Sequence, residues 1–267
     1  MTSAAASVIV RARNEERTIE RTLRSLRHQT VAVEIVVVDS GSTDRTRALA
    51  RRWADLIIDL PADRFTFGRA LNVGAAAATA DIHFALSAHC WAERADWIER
   101  TLAHYGSSNV GGVYGDRALA DGQPLRGVFY QDVAYARAHP CWGFTNHASS
   151  WRASVWERFP FDESLDAAED KQWALRVLNA GWIIAVDPLL WVDMSHVWRN
   201  GLLDYYRRQK RVARAIRSFE EVSSPYRGRQ MLAEWWGQVD EDRRSPLRRR
   251  LSPVRAAGLV GKYQGRR

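Results

Sequence analysis

Three short stretches of this 267-residue chain carry side chains able to do acid–base or ligand chemistry. "FDESLDAAEDKQW", residues 161–173, ends on the adjacent carboxylates Glu169 and Asp170 as a helical pattern begins. A carboxylate held there can accept a proton from a hydroxyl, although acidic residues in a first helical turn also complement the helix dipole. "FALSAHCWA", residues 84–92, is an apolar run that delivers Ser87, Ala88 and His89 to its end. An imidazole in that position can ligate a divalent cation, pair with a phosphate when protonated, or simply sit hydrogen-bonded under a loop. "VVVDSGSTD", residues 36–44, carries Asp39 out of a valine run into a Gly-Ser turn. A carboxylate there suits a base or ribose and the turn's N–H groups suit an anion, while a capped strand-to-helix turn is the plainer alternative.

The elements that must hold these groups are legible from periodicity. "ASVIVRA" (6–12), "EIVVVD" (34–39), "DLIIDL" (55–60) and "DIHFALSAH" (81–89) are apolar runs of strand length. Helical patterns separate them. Asn14 is placed to cap the first, Ser42 or Thr43 the second, and a glycine-led, alanine-rich segment, residues 67–80, forms the third. Strands alternating with helices predict an α/β fold with a mostly parallel central sheet flanked by helices. In such a sheet ligands lie beyond the carboxyl ends of the strands. Four strand ends carry polar signals there: "RARNE", "DSGSTD", "PADRFTFGR" and "SAH". Beyond residue 110 the pattern is less regular. Strands are expected at 111–116, 182–187 and 190–196, and helices at 152–159, at 169–181 closed by Gly181, and at 201–219. In the last, Leu202, Tyr206, Gln209, Val212, Ala213, Ile216 and Phe219 line one face and arginines fill the others.

Composition narrows the classes. With 46% hydrophobic and 26% charged residues the chain can bury a core. Two cysteines, Cys90 and Cys141, make no disulfide framework, and no C-x-x-C pair suggests structural zinc. No basic n-region opens "MTSAAASVIVRARNEE" and no apolar run approaches membrane-spanning length, so a cytoplasmic location is expected. From Arg199 onward there are 18 Lys/Arg against 7 Asp/Glu, a net of +11, whereas the first 198 residues carry 21 against 24. This basic tail predicts a negatively charged partner: an anionic membrane contacted peripherally, a phosphorylated substrate, or nucleic acid. Arginine outnumbers lysine 36 to 3, which weakens any nucleic-acid argument from charge alone, and no specific nucleic acid is expected. There is no G-x-x-x-x-G-K-[ST] and no G-x-G-x-x-G after the first strand, which excludes a P-loop and disfavours a dinucleotide fold.

Several motifs in order resemble one family. "SVIVRARNEERTIERTLRSLRHQT" followed by "EIVVVDSGSTDRT" is similar to the nucleotide-binding half of family 2 glycosyltransferases with the GT-A (Rossmann-like) fold. "FTFGRALNVGAAAATAD" resembles the matching helix of their rhamnosyltransferase-like branch, and "FDESLDAAEDKQWALRVLNAGW" their acidic acceptor-side motif. The resemblance spans nearly all of residues 6–220. It implies inverting transfer of a sugar from a nucleotide-diphosphate sugar to a hydroxyl of a glycan, lipid-linked or small-molecule acceptor. It assigns donor contacts to Arg11, Asn14 and Glu15, to Asp39, Ser42 and Asp44, and to Arg69 and Ser87. Asp170 becomes the general base, with Glu169 supporting it. Trp142, Asn146 and His147 fall in the acceptor wall.

The family normally ends its fourth strand with Asp-x-Asp, which holds a divalent metal on the diphosphate. This chain has Ser87-Ala88-His89, with His89 in place of the second aspartate. His196, in "MSHVW", matches a histidine that the family often places near the metal. The expected cofactor is therefore Mn²⁺ or Mg²⁺ held by His89 and His196, more weakly than by two carboxylates. A sugar-nucleotide-binding protein without turnover is the alternative from another class. A histidine-based metal hydrolase ranks lower, because no H-E-x-x-H or dense ligand cluster is present. The expected organisation is a catalytic domain over 1–198, divided at residue 110 into donor and acceptor halves, and a basic helical extension over 199–267.

Overall fold

Valine- and isoleucine-rich runs form strands buried on both faces, because helices cover both sides of the sheet. The computed structural model describes residues 4–192, 201–219 and 260. Eight strands lie in one sheet: β1 (Ala6–Ala12), β2 (Val33–Asp39), β3 (Leu56–Asp59), β4 (Ile82–Ser87), β5 (Val110–Tyr114), β6 (Phe129–Gln131), β7 (Ala148–Arg152) and β8 (Ile183–Val186). Their order is β3-β2-β1-β4-β7-β5-β8-β6. β3, β2, β1 and β4 run parallel, as the alternating pattern requires. β7 enters antiparallel between β4 and β5, and β6 pairs antiparallel with β8, so the sheet is mixed.

Successive strand residues feed opposite cores. Val8 and Val10, Ile35 and Val37, Phe84 and Leu86 face one layer, packed with Ile19, Leu23 and Leu26 of α1 (Ile19–Arg27) and Trp97 and Ile98 of α4 (Trp97–His104). Ile9, Val38 and Ala85 face the other, with Leu71 of α3 (Phe67–Ala77) and Trp173 and Val177 of α7 (Glu169–Asn179). Each fully buried large apolar side chain contributes about 1.5–3 kcal/mol. Gly74 lets α3 close onto β1, since a Cβ there would stand 2.4 Å from Ile9 Cγ2. The remaining helices are α2 (Thr46–Ala50), α5 (Val133–Ala138), α6 (Ala153–Arg158) and α8 (Gly201–Phe219).

Several local expectations are corrected. Asn14 does not cap α1, whose N-cap is Thr18, and Ser42 and Thr43 do not cap α2, whose N-cap is Arg45. The expected strand at 190–196 begins in a 3₁₀ turn, Pro188–Leu190, and its later part, including His196, lies outside the described residues. β6, β7, α4 and α5 were not expected. Gly181 does close α7, with φ +89° just beyond its last turn. Among the described residues, no helix is long and apolar enough to cross a membrane. α8 packs Val212, Ala215 and Ile216 against Ala167, Ala168 and Cys141, the approach to α7.

Candidate functional site

The loops after β1 and β2 are laced together at the carboxyl edge of the sheet. Asp39 is buried, and its carboxylate accepts from the Ser42 N–H at 3.1 Å and the Ser42 hydroxyl at 2.5 Å. Ser42 Oγ in turn accepts from the Asn14 N–H at 2.9 Å, and the Thr43 N–H donates to Asn14 Oδ1 at 2.8 Å. Asp44 accepts from the Glu16 N–H at 3.1 Å and from Thr46 through both its N–H and its hydroxyl. Burial alone would raise the Asp44 pKa, but the bonds from Thr46 and Glu16 outweigh it and hold it below the ordinary value. The turn's amides therefore bind the protein's own side chains rather than standing open to an anion. Asn14 holds φ at 54°, a left-handed conformation that asparagine tolerates.

The end of β4 meets this braced edge. Ala88 N–H donates to Arg11 O at 3.1 Å, and Ser87 N–H donates to His147 O at 3.0 Å. The second contact exists because β7 runs antiparallel beside β4, bringing residues 143–147 to the strand ends. Gly143, at φ +104°, turns the chain where a Cβ would stand 2.8 Å from the Gln131 amide. His89 Nδ1 lies 2.5 Å from Glu15 Oε1, and Glu15 Oε2 accepts from the Thr18 hydroxyl at 2.9 Å. Among the described residues, no group of three His, Cys, Asp or Glu side chains is arranged to hold a metal.

The acidic pair enters from the opposite side. Ala168, at φ 61°, is the other non-glycine residue in the left-handed region among those described, and it turns the chain into α7. Asn146 ties this turn to the sheet. Its N–H donates to Asp170 Oδ2 at 3.2 Å, its side-chain amide to Glu169 Oε1 at 3.3 Å, and its carbonyl accepts from Arg11 Nη2 at 2.7 Å. Arg11 Nη1 stands 3.7 Å from Glu169 Oε1. Burial, reinforced by the neighbouring Asp170 charge and opposed by Arg11, pushes Glu169 up to about 7. Asp170 is less buried, and its Oδ1 accepts from the Lys171 N–H at 2.8 Å.

His147 follows Asn146 and bonds through Nδ1 to the Thr145 hydroxyl at 2.7 Å. Burial, with the charges of Arg208, Lys171 and Arg11 nearby, holds its pKa at about 3, so the ring is neutral at ordinary pH. The structure thus gathers Arg11, Glu15, Ser87, His89, Asn146, His147, Glu169 and Asp170 at one edge, with Asn14, Asp39, Ser42 and Asp44 bracing it. Trp142 is set apart: its indole N–H donates to Ala118 O at 3.1 Å, and its ring packs with Tyr114, Phe129 and Tyr135. Arg69, at the start of α3, stands 3.9 Å from Glu163. Lys171 and Arg208 were not singled out as site residues from the sequence. Lys171 is legible only as the residue after the acidic pair; its ammonium donates to the carbonyls of Gly143 and Phe144.

The fold is an α/β one with a mixed eight-stranded sheet and a carboxylate pair near its strand ends. The model of glycosyl transferase family 2 matches residues 7–160, and the chain belongs to that family. The 4,4'-diaponeurosporenoate glycosyltransferase of Staphylococcus aureus is 39% identical over 59 residues, a span of 22% of this chain and 16% of that protein. Among solved structures, the mannosyltransferase PcManGT from Pyrobaculum calidifontis, in complex with GDP-Man and Mn²⁺, is similar with a TM-score of 0.69 at 18% identity, over 98% of this chain and 86% of that one. Staphylococcus aureus TarS 1-349 gives 0.58 at 17% identity over 98% and 90%. Glucosyl-3-phosphoglycerate synthase from Mycobacterium tuberculosis, in complex with Mn²⁺, UDP and glucosyl-3-phosphoglycerate, gives 0.52 at 19% identity over 69% of each chain. At these identities the likeness is one of fold.

Proposed function

We propose that the chain is an inverting glycosyltransferase that moves a sugar from a nucleotide-diphosphate sugar to an acceptor hydroxyl. The observation that carries this reading is the Asp170 carboxylate, fixed by the Asn146 and Lys171 N–H groups beside the end of β4. Asp170 takes the proton from the acceptor hydroxyl as that oxygen bonds to the anomeric carbon. The bond from that carbon to the diphosphate oxygen breaks, and its electron pair leaves with the nucleoside diphosphate. One base on the face opposite the leaving group suffices for such an inversion. Glu169, nearer its protonated form, takes the supporting role: with Arg11 and Asn146 it fixes the turn that aims Asp170.

Arg11 Nε and Nη1 make no hydrogen bond among the described residues, which leaves them able to meet ligand oxygens. Asp39 is read as the contact to base or ribose, with Asn14, Ser42 and Asp44 setting its loop. Ser87, Glu15 and Arg69 complete the donor side, and Asn146 and His147 the acceptor wall, with Trp142 standing back from it. On this reading a divalent ion, Mn²⁺ better than Mg²⁺, would bind at His89. A ligating imidazole characteristically gives its other ring N–H to a carboxylate, the relation His89 has with Glu15. His89, together with His196, would hold the ion. When bound, it would supply positive charge against the departing diphosphate.

The residues divide, on this reading, into a catalytic domain over 1–198 and a basic extension over 199–267. Arg207, Arg211, Arg214 and Arg217 of α8 are exposed, as is Leu203, a pattern that suits peripheral contact with an anionic membrane. Incubation with a panel of UDP-, GDP- and dTDP-sugars and mixed acceptors tests the main reading. Transfer or donor hydrolysis supports it. Nucleotide binding without turnover would favour the alternative of a sugar-nucleotide-binding protein.

A further inference from the structure

We infer that Arg208 of α8 is a donor-diphosphate contact, so that a helix outside the sheet completes the site. The inference rests on the nucleotide-sugar reading above and goes beyond it in assigning a role to this helix. α8 is anchored by Val212, Ala215 and Ile216 on Ala167 and Ala168, the two residues leading into Glu169. Arg208 stands four residues before Val212 and therefore on the same face, one turn along. That face is the packed one, whereas Arg207, Arg211, Arg214 and Arg217 turn to solvent.

Arg208 is itself exposed, as a residue at the mouth of a site must be to receive a ligand. Its charge is felt at Arg11, at the end of β1, and at His147, beside the end of β4. The packing of α8 on Ala167 and Ala168 and the reach of this charge put Arg208 near the strand ends, where the diphosphate of a donor would lie. Of the neighbouring cations, Arg11 gives Nη2 to the Asn146 carbonyl, Lys171 bonds to two carbonyls, and Arg69 stands beside Glu163. Among the described residues Arg208 forms no ion pair. Several cations held close together repel one another, and a bound polyanion relieves that repulsion. A guanidinium also matches phosphate oxygens in a two-pronged fork.

The test is calorimetry on the full chain in EDTA. The probes are whichever of UDP, GDP and dTDP the wild type binds, and the matching nucleoside without phosphate. Arg208→Ala should bind the diphosphate about tenfold or more weakly while binding the nucleoside as the wild type does. Arg208→Lys should recover part of the loss, and Arg211→Ala, on the solvent side, should lose none. Melting curves establish that each variant folds, and Arg208→Gln replaces the alanine variant if that one does not. Equal diphosphate affinity in Arg208→Ala or Arg208→Gln and wild type would overturn the inference, as would an equal loss for diphosphate and nucleoside. A wild type that binds none of the three diphosphates, in Mn²⁺ as well as in EDTA, would instead overturn the nucleotide-sugar reading, and this inference with it; where binding needs Mn²⁺, all variants are compared in Mn²⁺.

Discussion

His89 Nδ1 and Glu15 Oε1 lie 2.5 Å apart, joining the end of β4 to the loop after β1. On the proposed metal reading, Nδ1 faces the Glu15 carboxylate and Nε2 would be the nitrogen that ligates the ion. Activity should therefore be lost in EDTA and return with Mn²⁺ more fully than with Mg²⁺. Glu15→Gln should weaken Mn²⁺ binding about 10- to 100-fold, measured by calorimetry with nucleoside diphosphate present. Full activity in protein shown metal-free by elemental analysis would remove the metal from the mechanism.

Asp170→Asn should fold as the wild type and bind donor equally well. An asparagine side chain keeps the shape but cannot take up the acceptor's proton, so kcat should fall about 10²- to 10⁴-fold. Steady-state kinetics decide it: a kcat near that of the wild type would move the base to another group, Glu169 first.

Glu169 makes stability fall as pH rises. Its pKa stands at about 7 in the folded protein, above the ordinary carboxyl value of 4.5, so the folded state holds the proton more tightly. Stability should decline as pH rises between those values, by roughly 3 kcal/mol at most, and level off above. Glu169→Gln cannot titrate and should flatten that slope. Denaturant melts at pH 5 and pH 8 measure it; an identical slope in both proteins would contradict the assignment.

His147 acts in the opposite sense. Its pKa of about 3 is depressed from 6.5, so the unfolded chain binds the proton more readily. Stability should fall as pH drops below 6.5 towards 3. His147→Gln should lessen this acid loss; melts between pH 6.5 and pH 4 that show no change would refute the shift.

Asp39→Ala removes the acceptor that holds Ser42 as well as the proposed ligand contact. Donor affinity should drop by roughly 1.5–3 kcal/mol, and the melting temperature should fall with it. Unchanged donor affinity by calorimetry would leave Asp39 with the loop alone.

Residues 6–89 were legible in the sequence because local pattern decides them. Val36-Val37-Val38 can only be a strand covered on both faces, and the helices between such strands force them parallel. Glu169 and Asp170 were likewise visible as a pair at a helix start. What the sequence could not express was long-range pairing. β7 has two serines, Ser149 and Ser150, at its centre and no apolar alternation, yet it lies buried: Ser150 meets Tyr105 across the fold, and Ser149 donates to Asn146 three residues earlier. Its antiparallel insertion decides that Asn146 bridges Arg11 to Glu169 and Asp170. The expected caps fail for the same reason: Asn14, Ser42 and Thr43 have the chemistry to cap helices, but each found its partner on the neighbouring loop about 28 residues away or within its own turn. The pairing of Glu15 with His89, 74 residues apart, and the seating of α8 on Ala167 and Ala168 depend on packed surfaces that no local spacing encodes.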